Sequence, residues 1–253
     1  MIKLKAWLEL ARVSNLPTVW SNVVMGLAWA TSRHIPELGI DPAAVVMPPL
    51  GSLLNQGFML LVAGTLIYTA GMLLNGVVDR RVDAQERPAR PIPRGAVCPH
   101  RATAVAVVLL VAGLAATAVF TSPWVMPLTG GLIASVVLYN LLHARWSGAV
   151  LLMAACRGLL VFAAVMAVWS PGVAQLGPRL VPAVALFAYT LLIAVLARRE
   201  VALGRVPLVI ALIVAMPLID AGLCLWAGHP GAAVFCAGCA VLTLLGQRFV
   251  KGS

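Results

Sequence analysis

The chain has 253 residues, of which 62% are hydrophobic and only 10% charged, with a mean hydropathy of +1.00. A soluble domain carries about 25% charged residues, so this composition excludes an ordinary soluble enzyme, a disordered chain and a disulfide-built secreted module, and leaves an integral membrane protein. Lys and Arg total 18 against 8 Asp and Glu, a net charge of +10; in a soluble protein that surplus points to nucleic acid, and in a membrane protein it records topology.

Crossing a bilayer core takes about 20 helical residues. Apolar segments fall at approximately 16–32, 57–76, 102–121, 124–142, 148–170, 180–197, 206–227 and 230–247. They are apolar on every face, which suits helices; a membrane barrel would alternate polar and apolar residues. The fold class expected is all-α, a polytopic membrane bundle of eight to nine helices around a central cavity, with residues 1–253 as one domain. Residues 36–56, rich in Pro and Gly, read as a long first connection, partly re-entrant. Ala28-Trp29-Ala30 resembles a leader-cleavage site, but the region after it does not read as a mature soluble domain. Cys236 and Cys239 form a CxxC inside an apolar span with no His or acidic neighbour, which suits packing better than metal or redox chemistry. Trp20, Trp29, Trp124, Trp146, Trp169 and Trp226 lie near span ends, as interfacial belts do.

With eight alternating spans, fifteen of the basic residues share one side. They are Lys3, Lys5 and Arg12 before the first span; Arg80, Arg81, Arg87, Arg90, Arg94 and Arg101 between the second and third; Arg145 between the fourth and fifth; Arg198, Arg199 and Arg205 between the sixth and seventh; and Arg248 and Lys251 after the eighth. Arg33 and Arg179 lie opposite, and Arg157 lies within the fifth span. Cytoplasmic loops collect Lys and Arg, so both termini are expected in the cytoplasm, in a bacterial cytoplasmic membrane. The partner expected is lipid, not nucleic acid.

The most informative stretch runs from Leu73 to Gly95. Asn75, Asp79 and Asp83 are spaced i, i+4, i+8, which places them on one helical face. Hard oxygen donors there suit Mg²⁺, commonly held by one or two carboxylates with substrate phosphates. The same spacing also suits a solvated helix end whose carboxylates pair with neighbouring arginines. Arg-Pro-Ala-Arg-Pro-Ile-Pro-Arg-Gly comes next; Pro88, Pro91 and Pro93 forbid a helix, leaving a basic loop beside the acidic helix end.

This stretch resembles the first aspartate-rich motif of the UbiA superfamily of intramembrane prenyltransferases, N-x-x-x-D-x-x-x-D followed by R-P-x-R-P-I-P-x-G. Asn75, Asp79, Asp83, Arg87, Pro88, Arg90, Pro91, Pro93 and Gly95 carry the match. Arg12-Val13-Ser14-Asn15-Leu16-Pro17-Thr18 resembles the family's lead into its first helix, and Tyr139 with His143 resembles its Y-x-x-x-K element. The resemblance implies nine helices around a cavity and Mg²⁺-dependent transfer of a prenyl group from an isoprenyl diphosphate to an acceptor, often aromatic. It implies Asn75, Asp79 and Asp83 as catalytic and metal-holding residues. For the diphosphate it implies Arg87, Arg90, Arg94, Tyr139, His143, Arg145, Arg157, Arg198 and Glu200.

The chain departs from this pattern in three places. His143 replaces the lysine, and a histidine is a weaker fixed charge. Where the second aspartate motif belongs, the chain reads Leu196-Ala197-Arg198-Arg199-Glu200, with a single acid. Eight spans are countable instead of nine. Ala-Arg-Arg-Glu, and Ala155-Cys156-Arg157-Gly158 in the fifth span, resemble an EboC-like subgroup that lacks the second motif. An alternative function is therefore a divergent protein that binds or transports an isoprenoid or lipid phosphate without turnover. Two mid-span charges complete the reading. Arg157 suits either anion binding or a structural ion pair, and Asp220 suits a structural role.

Overall fold

The computed structural model describes residues 2–32, 49–168, 177–203 and 207–249. It is helical throughout, with no strand among the described residues. In order these are α1 (Ile2–Leu10), a 3₁₀ turn (Val13–Asn15), α2 (Leu16–Ala30), α3 (Leu50–Val78), α4 (Arg80–Glu86), α5 (Pro99–Phe120), α6 (Val125–Leu142), α7 (Ala149–Ala167), α8 (Gly177–Leu203), α9 (Pro207–Trp226) and α10 (Pro230–Phe249). Each of the eight apolar segments falls on a helix. Prolines start α5, α9 and α10, where the missing amide hydrogen would have had no helical partner.

Seven helices, α3 and α5 to α10, are long and apolar enough to cross a membrane. The protein is an integral membrane protein. The first expected span, α2, is shorter, with 15 residues, about 22 Å at 1.5 Å per residue, and residues 33–48 after it lie outside the described set. It lies at the centre of the bundle, packed on α3, α7, α8, α9 and α10. Small side chains permit this. A Cβ on Gly26 would lie 2.7 Å from Ala164 Cβ and 2.9 Å from the Val161 carbonyl, so the backbones of α2 and α7 approach to a distance only glycine allows. By contrast, Val107, Val108, Val111 and Val119 of α5 are exposed, as suits a lipid-facing helix.

Two expectations shift. The second span begins at Leu50, so residues 50–56 belong to a helix and not to the first connection; residues 33–48 lie outside the described set. Trp20 and Trp29 are not belt residues. Trp20 Nε1 donates to Thr65 Oγ1 at 3.0 Å. Trp29 is buried against Trp226, with ring centroids 4.9 Å apart, and donates to the Pro178 carbonyl at 3.1 Å. Trp124, Trp146 and Trp226 are half-exposed, as an interface requires.

Candidate functional site: two cavities joined at Asn75

The acidic face forms as the spacing predicts, across a helix junction. α3 ends at Val78 and α4 begins at Arg80, yet the i to i+4 bonds run on. Asp79 N donates to the Asn75 carbonyl at 2.9 Å, Asp83 N to Asp79 at 2.8 Å and Arg87 N to Asp83 at 2.8 Å. The three side chains therefore stay in register. Asn75 Nδ2 donates to Asp79 Oδ2 at 3.0 Å. Asp79 Oδ1 lies 2.7 Å from His143 Nε2, and the His143 ring stacks on Tyr139 at 5.3 Å. His143 Nδ1 in turn lies 3.1 Å from the Asn140 carbonyl, which fixes the ring on both edges. Asp83 is buried and receives Arg90 Nη1 on both oxygens, at 2.8 and 2.7 Å.

The basic loop after α4 is a succession of turns. Ile92 and Val97 are its anchors, buried with Ala6, Leu10, Ala70 and Leu73. Gly95 has φ +76°, a left-handed backbone that an L side chain adopts only at a cost of about 1–2 kcal/mol. The loop thus folds back onto α1 and α3, and Arg94 Nη2 reaches Glu9 Oε2 at 2.7 Å.

An outer cavity of about 560 Å³ opens here. Asn75 and Asp83 line it together with Lys5, Arg12, Arg87, Arg90, Arg94 and Arg248. These cations come from the N-terminal segment, the 87–94 loop and the end of α10, so the folded chain gathers to one opening charges that the sequence scatters. An inner cavity of about 240 Å³ lies among the spans, and Arg12, Met72 and Asn75 line both. Gly64, Ile67, Tyr68, Gly71, Met72 and Asn75 form its α3 wall, three to four residues apart as one helical face requires.

Of the diphosphate-binding candidates, Arg87, Arg90 and Arg94 line the outer cavity, while Tyr139 and Arg157 line the inner one. His143 lines neither and acts on Asp79. Arg145 is exposed and lines neither cavity. Arg198 is also exposed, with Nη1 2.5 Å from the Ser147 carbonyl. The side chain of Glu200 lies outside the described residues. Residues the site reading passed over are Asn15 and Tyr68 on the inner wall, and Arg12 on both. The signal for Tyr68 was its place seven residues, two helical turns, before Asn75. Burial pushes the Arg12 guanidinium below its ordinary pKa, and the nearby Tyr68 works against that shift.

Among the described residues no three His, Cys, Asp or Glu side chains cluster as a metal cage. Mg²⁺ does not need one, because it keeps several waters and takes one or two carboxylates plus substrate phosphates. The oxygen-only donors of Asn75, Asp79 and Asp83 fit that demand. Both carboxylates already hold nitrogen partners, so a cation would exchange contacts there.

The sequence matches the profile of the UbiA prenyltransferase family over residues 19–251. It is 25% identical over 114 residues to a digeranylgeranylglyceryl phosphate synthase of Saccharolobus solfataricus, covering 45% of this chain and 34% of that protein. It is 45% identical over 74 residues to the synthase of the same name from Methanoregula boonei, covering 29% and 26%. These matches span about a third or less of the curated relatives' length. In fold, the chain is similar over 100% of its length, and over 99% of the other chain, to a structure described for digeranylgeranylglyceryl phosphate synthase, with TM-score 0.60 and 15% identity. A UbiA homolog from Archaeoglobus fulgidus bound to DMAPP and Mg²⁺ matches over 94% of this chain and 84% of its own, with TM-score 0.53 and 15% identity. The helical membrane fold, the acidic face beside its basic loop and the match across residues 19–251 agree: the chain belongs to the UbiA prenyltransferase family.

Proposed function

We propose that this single-domain protein transfers a prenyl group from an isoprenyl diphosphate to an acceptor, with Mg²⁺ and with both termini in the cytoplasm. One observation carries the reading: the outer cavity combines the buried Asp83 with Arg87, Arg90 and Arg94. Polyanion and metal both find partners there, which a solvated helix end would not require.

Asn75, Asp79 and Asp83 would hold Mg²⁺, and a bound Mg²⁺ supplies charge stabilisation to the leaving diphosphate. His143 orients the Asp79 carboxylate. Arg90 holds Asp83 and presents its guanidinium at the cavity wall, beside Arg87 and Arg94. As the allylic C–O bond breaks, its electron pair passes to a diphosphate oxygen, and these fixed cations meet the growing charge without reorganising. An acceptor lone pair then forms the new bond to the allylic carbon, and the acceptor's proton leaves. Val19, Ile67, Leu132, Val136 and Leu160 wall the inner cavity and keep water from the cation.

The competing reading is binding or transport without turnover. What favours it is the absence of paired aspartates at the second position, where Arg198 engages the backbone at Ser147. Release of diphosphate from geranylgeranyl or farnesyl diphosphate, with Mg²⁺ and purified protein, separates the two. Asp79→Asn and Asp83→Asn should each reduce release by about 10²-fold or more, the scale of losing one transition-state contact. Unchanged release and unchanged Mg²⁺ dependence in both variants sink the assignment.

A further inference from the structure

Arg12 stands at the entrance to the 3₁₀ turn Val13–Asn15, with φ 46° and ψ 49°. No other described non-glycine residue has positive φ, a backbone that L side chains rarely adopt. Its guanidinium offers five N–H donors. Among the described residues that side chain enters no hydrogen bond and no ion pair, whereas Arg90 and Arg94 are both committed to carboxylates. Arg12 also lines both cavities. A strained backbone holding an unengaged cation at the seam of two cavities needs contacts that keep it there.

Three helices supply them. Asn15 N donates to the Arg12 carbonyl at 3.0 Å and closes the turn. From α3, Tyr68 donates to the same carbonyl at 3.2 Å. From α2, Thr18 Oγ1 donates to the Asn15 carbonyl at 2.7 Å and accepts Arg157 Nη2 at 2.7 Å. Arg157 is tied in turn to Asp220 through Asn22: Arg157 Nη1 donates to Asn22 Oδ1 at 2.8 Å, and Asn22 Nδ2 donates to Asp220 Oδ2 at 2.7 Å. The third helix is α10. Gln247, in its last turn, donates from Nε2 to Asn15 Oδ1 at 2.6 Å. Gly246 beside it lets the two backbones meet, since a Cβ there would lie 3.1 Å from Ser14 Cα and 3.2 Å from Ser14 Cβ.

The α10 contact differs in kind from the other two. Tyr68 and Thr18 engage backbone carbonyls, which any residue presents. Gln247 engages a side chain across 232 residues of sequence. It does so next to Arg248 and Phe249, which line the outer cavity together with Arg12. The last turn of α10 therefore forms part of that wall and also clamps the turn that carries Arg12.

We propose that Gln247 is a positioning residue for Arg12: its bond to Asn15 sets the 3₁₀ turn so that the Arg12 guanidinium is presented at the outer cavity as a further cation for the donor diphosphate. This rests on the prenyl-transfer reading and gives α10 a part in that site. Gln247 lines neither cavity, so it acts through the turn and not on the ligand.

The test is Mg²⁺-dependent binding of geranylgeranyl thiodiphosphate to the full chain in nanodiscs. Arg12→Gln should weaken it about tenfold or more, the scale of one charge-assisted contact. Gln247→Met keeps the length of the side chain and removes its donor, and should weaken binding about threefold or more. The double variant should bind no more than about twofold worse than Arg12→Gln alone, because losses that pass through one group do not add. A merely structural role for Gln247 would add its loss in full. A second arm needs no diphosphate. In a Cys98→Ser background, Arg12→Cys should react with a negatively charged methanethiosulfonate reagent, and adding Gln247→Met should change that rate about threefold or more as the turn loosens. Native-like binding in Gln247→Met overturns the proposal, as do losses that multiply in the double variant or a labelling rate that does not change. If Asp79→Asn and Asp83→Asn leave thiodiphosphate binding intact, it is the prenyl-transfer reading that falls, and the labelling rate still decides whether Gln247 sets residue 12.

Discussion

The outer and inner cavities use the same residue types, and assemble them in opposite ways. Outside, Asp83 and Arg90 are seven residues apart and pair directly on both carboxylate oxygens. Inside, Arg157 and Asp220 never touch; Asn22 joins them, 135 residues from one and 198 from the other. A pair within one loop and helix end is fixed by local chain geometry and can open for a ligand without disturbing the bundle. A charge relay across α2, α7 and α9 exists only once three helices have packed, so it depends on the whole bundle.

That contrast can be broken most forcefully at Asp220. Asp220→Ala removes the only carboxylate in the relay and leaves the mid-span guanidinium unbalanced. The expected cost is about 3 kcal/mol, the scale for breaking a buried ion pair, read as a lowered unfolding midpoint in bilayer or detergent. Arg90→Ala should behave differently. Its main effect should fall on isoprenyl diphosphate affinity, weakened about 10²-fold by loss of the Asp83 partner and of a cavity cation, while the unfolding midpoint moves less than for Asp220→Ala. Equal destabilisation by the two variants would erase the distinction between the cavities.

The sequence revealed the outer region because its chemistry is contiguous. Asn75, Asp79 and Asp83 repeat every four residues, and the i to i+4 bonds carry that register through the junction at Asp79. The prolines after Arg87 announce the turns of the basic loop, and Gly95 takes the positive φ that ends it. The inner region was legible only as isolated polar residues. Arg157 and Asp220 stood out as charges in apolar spans, but Asn22 and Thr18 look like ordinary polar residues near a helix start. Their role depends on α2 being central, and an apolar run does not say whether lipid or protein surrounds it. The same limit explains Trp20 and Trp29, which are placed at span ends by sequence and inside the bundle by packing. Arg145 was near the motif in chain order, but its side chain is exposed and lines neither cavity, which linear proximity to His143 did not foretell.

Two smaller effects sharpen the comparison. Gly26→Val should cost about 2 kcal/mol by overpacking α2 against α7, since even a Cβ there falls 2.7 Å from Ala164. Thermal unfolding should read that loss, with isoprenyl diphosphate binding at the outer cavity changed less. Glu9→Ala should cost only about 0.5 kcal/mol, because the Arg94–Glu9 pair is partly exposed, at 38% and 22%. Thermal unfolding of that variant should be nearly native, with diphosphate binding retained.

The central claim is that the diphosphate occupies the outer cavity, with the metal at the acidic face beside it. It is tested most directly by a structure of the full chain solved with Mn²⁺ in place of Mg²⁺ and a non-hydrolysable geranylgeranyl thiodiphosphate. The account predicts metal density among Asn75, Asp79 and Asp83, with the diphosphate against Arg87, Arg90 and Arg94. Diphosphate density against Arg157 in the inner cavity, or metal bound away from both aspartates, would contradict it.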